Sequence, residues 1–453
     1  MININIDRQN LKSHMSIMRK ILFITTLLSC VLANFTYGEM FSEKVNSTRY
    51  HAIRKQAASK SLIVKRKGIG TRRNRYGPDS HGITPYISVE EKYDDNIFHV
   101  RDADHDFITT VTPGIKLGNQ AMTEGKFGIY FDSGANLVKY ARRPEFDSVN
   151  PYARCVFGTK TLNFNYSVER RQSPRSEIEE TGEEDIVQSW NQKGGVSFSK
   201  QFGKITLNSD YSHSITRYDD EEDKDSNTDR GDISVEAIYD FSAGARRGHR
   251  SGVARERYLI TRYERSMVRY PKQEDADIDY DKVWGGFGGR IFPKVTGKAM
   301  FGYGWAHTEG DDDNDDSGDG FFLYNTSLVY DITENLAFTA GTSRNVSESS
   351  ISGRGRSETN SYNVGFNYAP PFNEKITIRG GASYSHTDYS GRRTAGLSEE
   401  RKDKTYGLNC SIDYRFKENL VFSGGYKYTK RESDVGNQSY INNVVTAKLN
   451  MEF

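Results

Sequence analysis

The chain closes on Asn443-Val444-Val445-Thr446-Ala447-Lys448-Leu449-Asn450-Met451-Glu452-Phe453, "NVVTAKLNMEF". Val445, Ala447, Leu449, Met451 and Phe453 are apolar, and Thr446, Lys448, Asn450 and Glu452 stand between them. A period of two puts successive side chains on opposite faces of a strand, so this end has one apolar and one polar face. A strand that finishes on an aromatic residue needs a partner for its backbone and a surface for its apolar face.

Working back from that end, the same alternation recurs in about eighteen segments from residue 83 onward, each near the length a tilted strand needs to cross a bilayer. "KITIRGGASYS" sets Ile376, Ile378, Ala382 and Tyr384 against Lys375, Thr377, Arg379 and Ser383. "TYGLNCSIDYRF" sets Tyr406, Leu408, Cys410, Ile412 and Tyr414 against Asn409, Ser411, Asp413 and Arg415. Composition agrees: of 453 residues only 35% are hydrophobic, while Gly reaches 41, Tyr 28 and Phe 24. Mean hydropathy is -0.73. That mixture is foreign to helical soluble enzymes and natural for many strands.

The connections are of two kinds. "FGK" at 202–204, "ITEN" at 332–335, "FNEK" at 372–375 and "FKEN" at 416–419 are tight; residues 173–185, 219–229, 309–320 and 391–403 are long, polar and often acidic. Short turns on one rim and long loops on the other define an up-and-down barrel with two chemically different ends. "YDITENLAFTAG" (330–341) and "YRFKENLVFSGG" (414–425) nearly repeat, at an offset that corresponds to two hairpins. The segment 242–270 alternates poorly, and its pairing is left open.

These features predict an all-β, antiparallel, transmembrane barrel of about 18 strands, with 16 as the next choice. A soluble sandwich also alternates, but its outer face is the polar one. Closing this many strands leaves a bore too wide for side chains to fill, so the polar set faces water and the apolar set faces lipid. The ring also gives every backbone N–H and C=O an internal partner. The last strand then pairs with the first, and Leu449, Met451 and Phe453 form a C-terminal signal for the barrel insertion machinery.

Residues 1–33 read as a signal peptide, with Arg19 and Lys20 before the apolar run Ile21–Ala33 and translation starting at Met1, Met15 or Met18. Cys30 lies in a lipoprotein-like "LLSC", but Leu28 is bulky for that box. Residues 34–82 read as a basic, flexible periplasmic segment; between 44 and 75 there are eleven Lys or Arg and no Asp or Glu. Such a block is either a solvated leader or an electrostatic grip on an anionic glycan or lipid headgroup, and nucleic acid does not suit a secreted protein. Cys155 and Cys410 read as small apolar side chains rather than a disulfide framework.

"YDDNIF" (Tyr93, Asp94, Asp95, Asn96, Ile97, Phe98), followed by "DFITTVTPGIKL" with Pro113 and Gly114, resembles the opening of the outer-membrane β-barrel porin family that includes proteins encoded with exopolysaccharide operons. The resemblance implies an outer-membrane location and a role in polysaccharide secretion. Read as residues alone, Asp94, Asp95 and Asn96 form a turn where a strand meets a long loop. Pro113-Gly114 interrupts the second strand's ladder.

By parity the inward residues are Lys116, Lys126, Asp132, Asp210, Glu236, Lys375, Arg379, Asp413, Arg415, Lys427, Lys448 and Glu452. They suggest either a basic stripe that guides anionic solutes or the mixed lining any porin needs. The acidic run Asp311–Asp316 with Asp319 fails as an EF-hand, since Tyr324 stands where the bidentate Glu is required; it leaves a solvated loop or divalent bridging to lipopolysaccharide. His213, His307 and His386 make no hydrolase constellation with nearby Ser or Asp. The expected function is therefore a channel for a hydrophilic solute without enzyme activity, cofactor or bound metal. Membrane lipid, lipopolysaccharide and anionic polysaccharide are its expected partners, with both termini periplasmic. Exopolysaccharide secretion, general diffusion and a non-conducting surface barrel are the competing roles.

Overall fold

The computed structural model describes residues 82–118, 127–175, 185–241, 257–272, 277–308, 319–348, 356–390, 401–435 and 438–453. The signal-peptide and basic-leader readings, Lys126 and most of the acidic loop lie outside them. Eighteen strands follow one another: β1 (Gly82–Asp94), β2 (Asp106–Gly118), β3 (Gly128–Tyr140), β4 (Ser148–Gly158), β5 (Leu162–Pro174) and β6 (Ile186–Phe202). Next come β7 (Ile205–Tyr218), β8 (Thr228–Asp240), β9 (Arg257–Arg269), β10 (Ile278–Phe292), β11 (Val295–Thr308) and β12 (Asp319–Thr333). The last are β13 (Leu336–Glu348), β14 (Arg356–Tyr368), β15 (Ile376–Ser390), β16 (Arg401–Lys417), β17 (Leu420–Ser433) and β18 (Tyr440–Glu452).

Every strand pairs antiparallel with its sequence neighbours, and β1 also pairs with β18, so one 18-stranded sheet closes on itself. The closing ladder runs from Tyr86↔Glu452 to Asp94↔Val444. Phe453 N–H donates to the Pro85 carbonyl at 2.9 Å, carrying the pairing to the last residue. No strand edge is left at the closure.

The alternation becomes two surfaces. Leu408 is 52% exposed and Val364 57%, although both are apolar and in mid-strand, and the same face of other strands carries Ile115, Leu137, Phe301 and Val445. On β16, Tyr406 and Tyr414 bracket Leu408, Cys410 and Ile412. Tyr362, Tyr384 and Tyr406 line up across β14–β16, while Phe338–Phe366 and Tyr414–Phe416 sit nearer the short turns. An apolar band between two aromatic girdles is the outer surface of a membrane barrel.

The near-repeat is one hairpin used twice. β12–β13 and β16–β17 both show a register step before the turn, at Asp331/Thr333 and Arg415/Lys417, and both turn through Glu-Asn. The bulge lets a two-residue connection follow the strand twist. At the turn between β6 and β7, Gly203 takes φ 59, a conformation glycine adopts without strain.

Three departures from regularity matter for function. The β2–β3 ladder lapses at Thr112 and Pro113 and resumes at Gly114 in unchanged register. The β4–β5 ladder stops at Tyr152↔Glu169, although β4 begins at Ser148 and β5 continues to Pro174. The inner face is also not uniformly polar, contrary to the simple division into oil outside and water inside. Ile260, Ile278, Tyr280, Trp284, Met300, Phe321 and Leu323 form a buried cluster on the inner side of β9–β12. This explains the poor alternation near residue 260, because there both faces of the wall are covered.

Candidate functional site

The register sets Lys116, Asp132, Asp210, Glu236, Arg379, Asp413, Arg415, Lys427, Lys448 and Glu452 on the face opposite the exposed apolar residues. Lys375 lies just before β15, exposed at the short-turn rim, and its carbonyl accepts from Arg415 N–H at 3.0 Å. The acids and bases are largely paired. Lys116 Nζ meets Glu452 Oε1 at 2.6 Å, Arg379 Nη1 meets Asp413 Oδ2 at 2.7 Å, and Lys448 Nζ meets Glu90 Oε2 at 3.3 Å. Arg262 binds Glu236 Oε2 at 3.0 Å through Nε and Glu264 Oε1 at 3.1 Å through Nη1. Trp284 Nε1 donates to the other Glu264 oxygen at 3.0 Å. Much of the basic charge is thus neutralised in place, while Arg415 and Lys427 have no ion-pair partner among the described residues.

A second part of the wall is chemically different. Across the middle of β13–β16 the inward positions are short and neutral: Thr339, Ser343, Ser361, Asn363, Ser383 and Asn409 among them. Amide side chains there lie over neighbouring glycines, Asn363 over Gly341 and Asn409 over Gly381. A Cβ at Gly407 would run into Ser383 Oγ. Folding the amides flat keeps the bore open while presenting donors and acceptors without net charge. The signal was available in the recurrent Gly, Ser, Thr and Asn at the polar parity of these segments.

Two strands further round the ring, on β1–β4, glycines carry aromatic rings. Tyr86 lies over Gly114 and Tyr152 over Gly134, where any Cβ would overlap them. The two hydroxyls meet, and Tyr86 Oη donates to Asp132 Oδ1 at 2.9 Å.

The long-loop mouth is narrowed from two directions. "YDDNIF" leaves β1 and folds onto the inner face of β2 and β3, where Ile97, Phe98 and Val100 pack with Ile108 and Tyr140. Asn96 is fully buried: its Nδ2 donates to the carbonyls of Val100 at 2.7 Å and Ile441 at 2.9 Å, and its Oδ1 accepts Val100 N–H at 3.1 Å. Asp95 accepts from Asn443 Nδ2 at 2.6 Å, tying the loop to β18. Asp106 accepts three consecutive N–H groups, from Ala141, Arg142 and Arg143, which joins the first two long loops. From the other side, the top of β13 leaves β12 after the Tyr324↔Arg344 pair. Lys282 Nζ on β10 then reaches Asn345 Oδ1 at 3.2 Å and the Val346 carbonyl, while Val346 is buried in the inner cluster.

Asp104 also ties the first loop to the second, through Arg143 Nε at 2.8 Å. Burial by itself raises its carboxyl, but the Arg143 hydrogen bond and charge, with Arg142, hold it below the usual carboxylate range. A depressed acid stabilises the docked loop at pH above its unfolded value of about 4 and loses that contribution as pH falls through the lower folded value. Current noise from loop motion is therefore expected to rise only in that acidic window. In Asp104→Asn the noise should be raised at neutral pH and unchanged by acid, as read in single-channel recordings.

His213, His307 and His386 sit on the outward face of β7, β11 and β15. Among the described residues no group of His, Cys, Asp and Glu has the arrangement of a metal site.

A closed 18-strand antiparallel ring with an apolar outer band, a hydrophilic inner wall and looped constrictions at one mouth is a channel-type β-barrel of the bacterial outer membrane. The chain belongs to the family described as "Putative beta-barrel porin 2", which matches residues 75–453. Porins of this kind are channels rather than enzymes. Among solved structures, the outer membrane protein OpdK from Pseudomonas aeruginosa is 10% identical with a TM-score of 0.46, over 82% of this chain and 99% of that one. OpdQ from Pseudomonas aeruginosa is 11% identical with a TM-score of 0.45, over 82% and 99%. A BenF-like porin from Pseudomonas fluorescens Pf-5 is 11% identical with a TM-score of 0.44, over 83% and 100%. No curated protein matches the chain.

Proposed function

We propose that this porin passes a polyhydroxylated solute, an exopolysaccharide strand, with its termini in the periplasm. The observation that carries the reading is the neutral inner strip of β13–β16, where Asn363 and Asn409 lie flat beside Ser and Thr hydroxyls. Sugar hydroxyls both donate and accept, and a wall of amides and hydroxyls exchanges hydrogen bonds with them at little net cost, so a chain can slide rather than stick. A strong single-sign field would favour small ions instead, and the pairing of Lys116, Arg379 and Lys448 with carboxylates weakens such a field. The pore lining is assigned to Lys116, Asp132, Asp210, Glu236, Arg379, Asp413, Arg415, Lys427 and Lys448. Leu449, Met451 and Phe453 are assigned to recognition by the insertion machinery.

The test is a planar-bilayer recording with neutral oligosaccharides. The wild-type current should show transient block, and Asn363→Arg should reduce oligosaccharide passage about tenfold while changing potassium conductance less than about twofold. Equal passage of neutral and charged solutes of one size would favour general diffusion. Absence of any conductance would favour a surface barrel.

A further inference from the structure

We infer that the unpaired upper seam between β4 and β5 holds the head group of an acidic glycolipid from the surrounding leaflet. Ser148–Pro151 of β4 pair with β3 but not with β5, and Arg170–Pro174 of β5 pair with β6 but not with β4. Pro151, which has no N–H to give a ladder, stands where the pairing stops. An open strand edge leaves backbone groups without ladder partners; the other long break, at the top of β12 and β13, is filled by the inner cluster of Phe321, Leu323 and Val346.

The seam has the features of a place built for a ligand. On its outer side a cavity of about 770 Å³ is walled by apolar Val111, Leu137 and Val149 and by polar Lys139, Arg170 and Gln188. Asn150, only 5% exposed, spans the gap by donating to Gln172 Oε1 at 3.3 Å. Gln172 in turn donates to the Phe146 carbonyl at 2.9 Å. One acceptor on the cavity wall, Gln188 Oε1, is buried without a hydrogen-bond partner. Lys139 is exposed on the outer face with no ion-pair partner among the described residues.

Each element asks for something different from an occupant. Gln188 Oε1 needs a hydroxyl or amide donor, Lys139 needs an anion, and the apolar walls need acyl chain. One molecule supplies all three when an acylated sugar carries phosphate or carboxylate. A plain anionic phospholipid offers the charge and the chains but few donors.

The experiment places a thiol at Val149→Cys in the full-length barrel carrying Cys30→Ser, Cys155→Ser and Cys410→Ser. Its alkylation rate in detergent is followed while a diphosphorylated acyl-disaccharide, lipid A, is titrated. Lipid A should slow alkylation of Val149→Cys but not of Val364→Cys on the far side. Lys139→Gln should raise the half-protecting concentration about fivefold. Dephosphorylated lipid A and phosphatidylglycerol should each protect more weakly than lipid A. Equal protection at both thiols, protection unaffected by Lys139→Gln, or equal protection by phosphatidylglycerol would overturn the assignment. Lys139 is exposed and unpaired, so its replacement leaves the barrel folded, and the faster migration of the unheated barrel in gels verifies this.

Discussion

Leu408→Arg is expected to lower the stability of the folded barrel by about 2–4 kcal/mol, the cost of a cation on the lipid face near mid-membrane. Leu408 is half exposed, is paired with Ala382 and Tyr428, and lies between the aromatic girdles of β16. A guanidinium there must leave water or drag water into the acyl region. The neighbouring Asn409→Arg faces the bore, where the head stays hydrated, and should shift stability by less than about 1 kcal/mol. Guanidinium-chloride titration in lipid vesicles measures both.

The second large effect is at the mouth. Asn96→Leu removes both donors to the Val100 and Ile441 carbonyls and the acceptor for Val100 N–H, all inside a buried loop. Each group left unsatisfied costs about 1–3 kcal/mol, so the loop is expected to undock rather than endure the loss in place. Trypsin cleavage after the exposed Arg101 should then accelerate by at least about tenfold, and single-channel conductance should rise. The unfolding midpoint of the barrel should move little, because the β1–β18 ladder survives without the loop. Unchanged cleavage at Arg101 would mean that the apolar contacts of Ile97 and Phe98 suffice to hold it.

The wall was legible because lipid and water impose opposite demands on alternate residues, and a strand has no third face. Tyr406 to Tyr414 on β16 can be read at sight, and the "ENL" near-repeat marks two copies of one bulged hairpin. What sequence order did not reveal were contacts between distant segments on the inside of the ring. Phe98 and Asn96 are ordinary loop residues until Ile108, Tyr140 and Ile441 surround them. Phe321 and Leu323 have inward parity but are covered by Val346, which leans in from β13. The loss of pairing between β4 and β5 had one local sign, Pro151, which a pattern count passes over.

The whole account depends on which face of each strand meets lipid. The most direct measurement is a cysteine scan of β16 from Leu408 to Asp413 in lipid vesicles, in a Cys155→Ser background with Cys410→Ser for every position except 410, where the native cysteine serves. Positions 409, 411 and 413 should react with a water-soluble maleimide through the bore, and positions 408, 410 and 412 should be quenched by nitroxide-labelled acyl chains once fluorescently tagged. The reverse pattern, or reactivity without alternation, would contradict the barrel's orientation of its two faces.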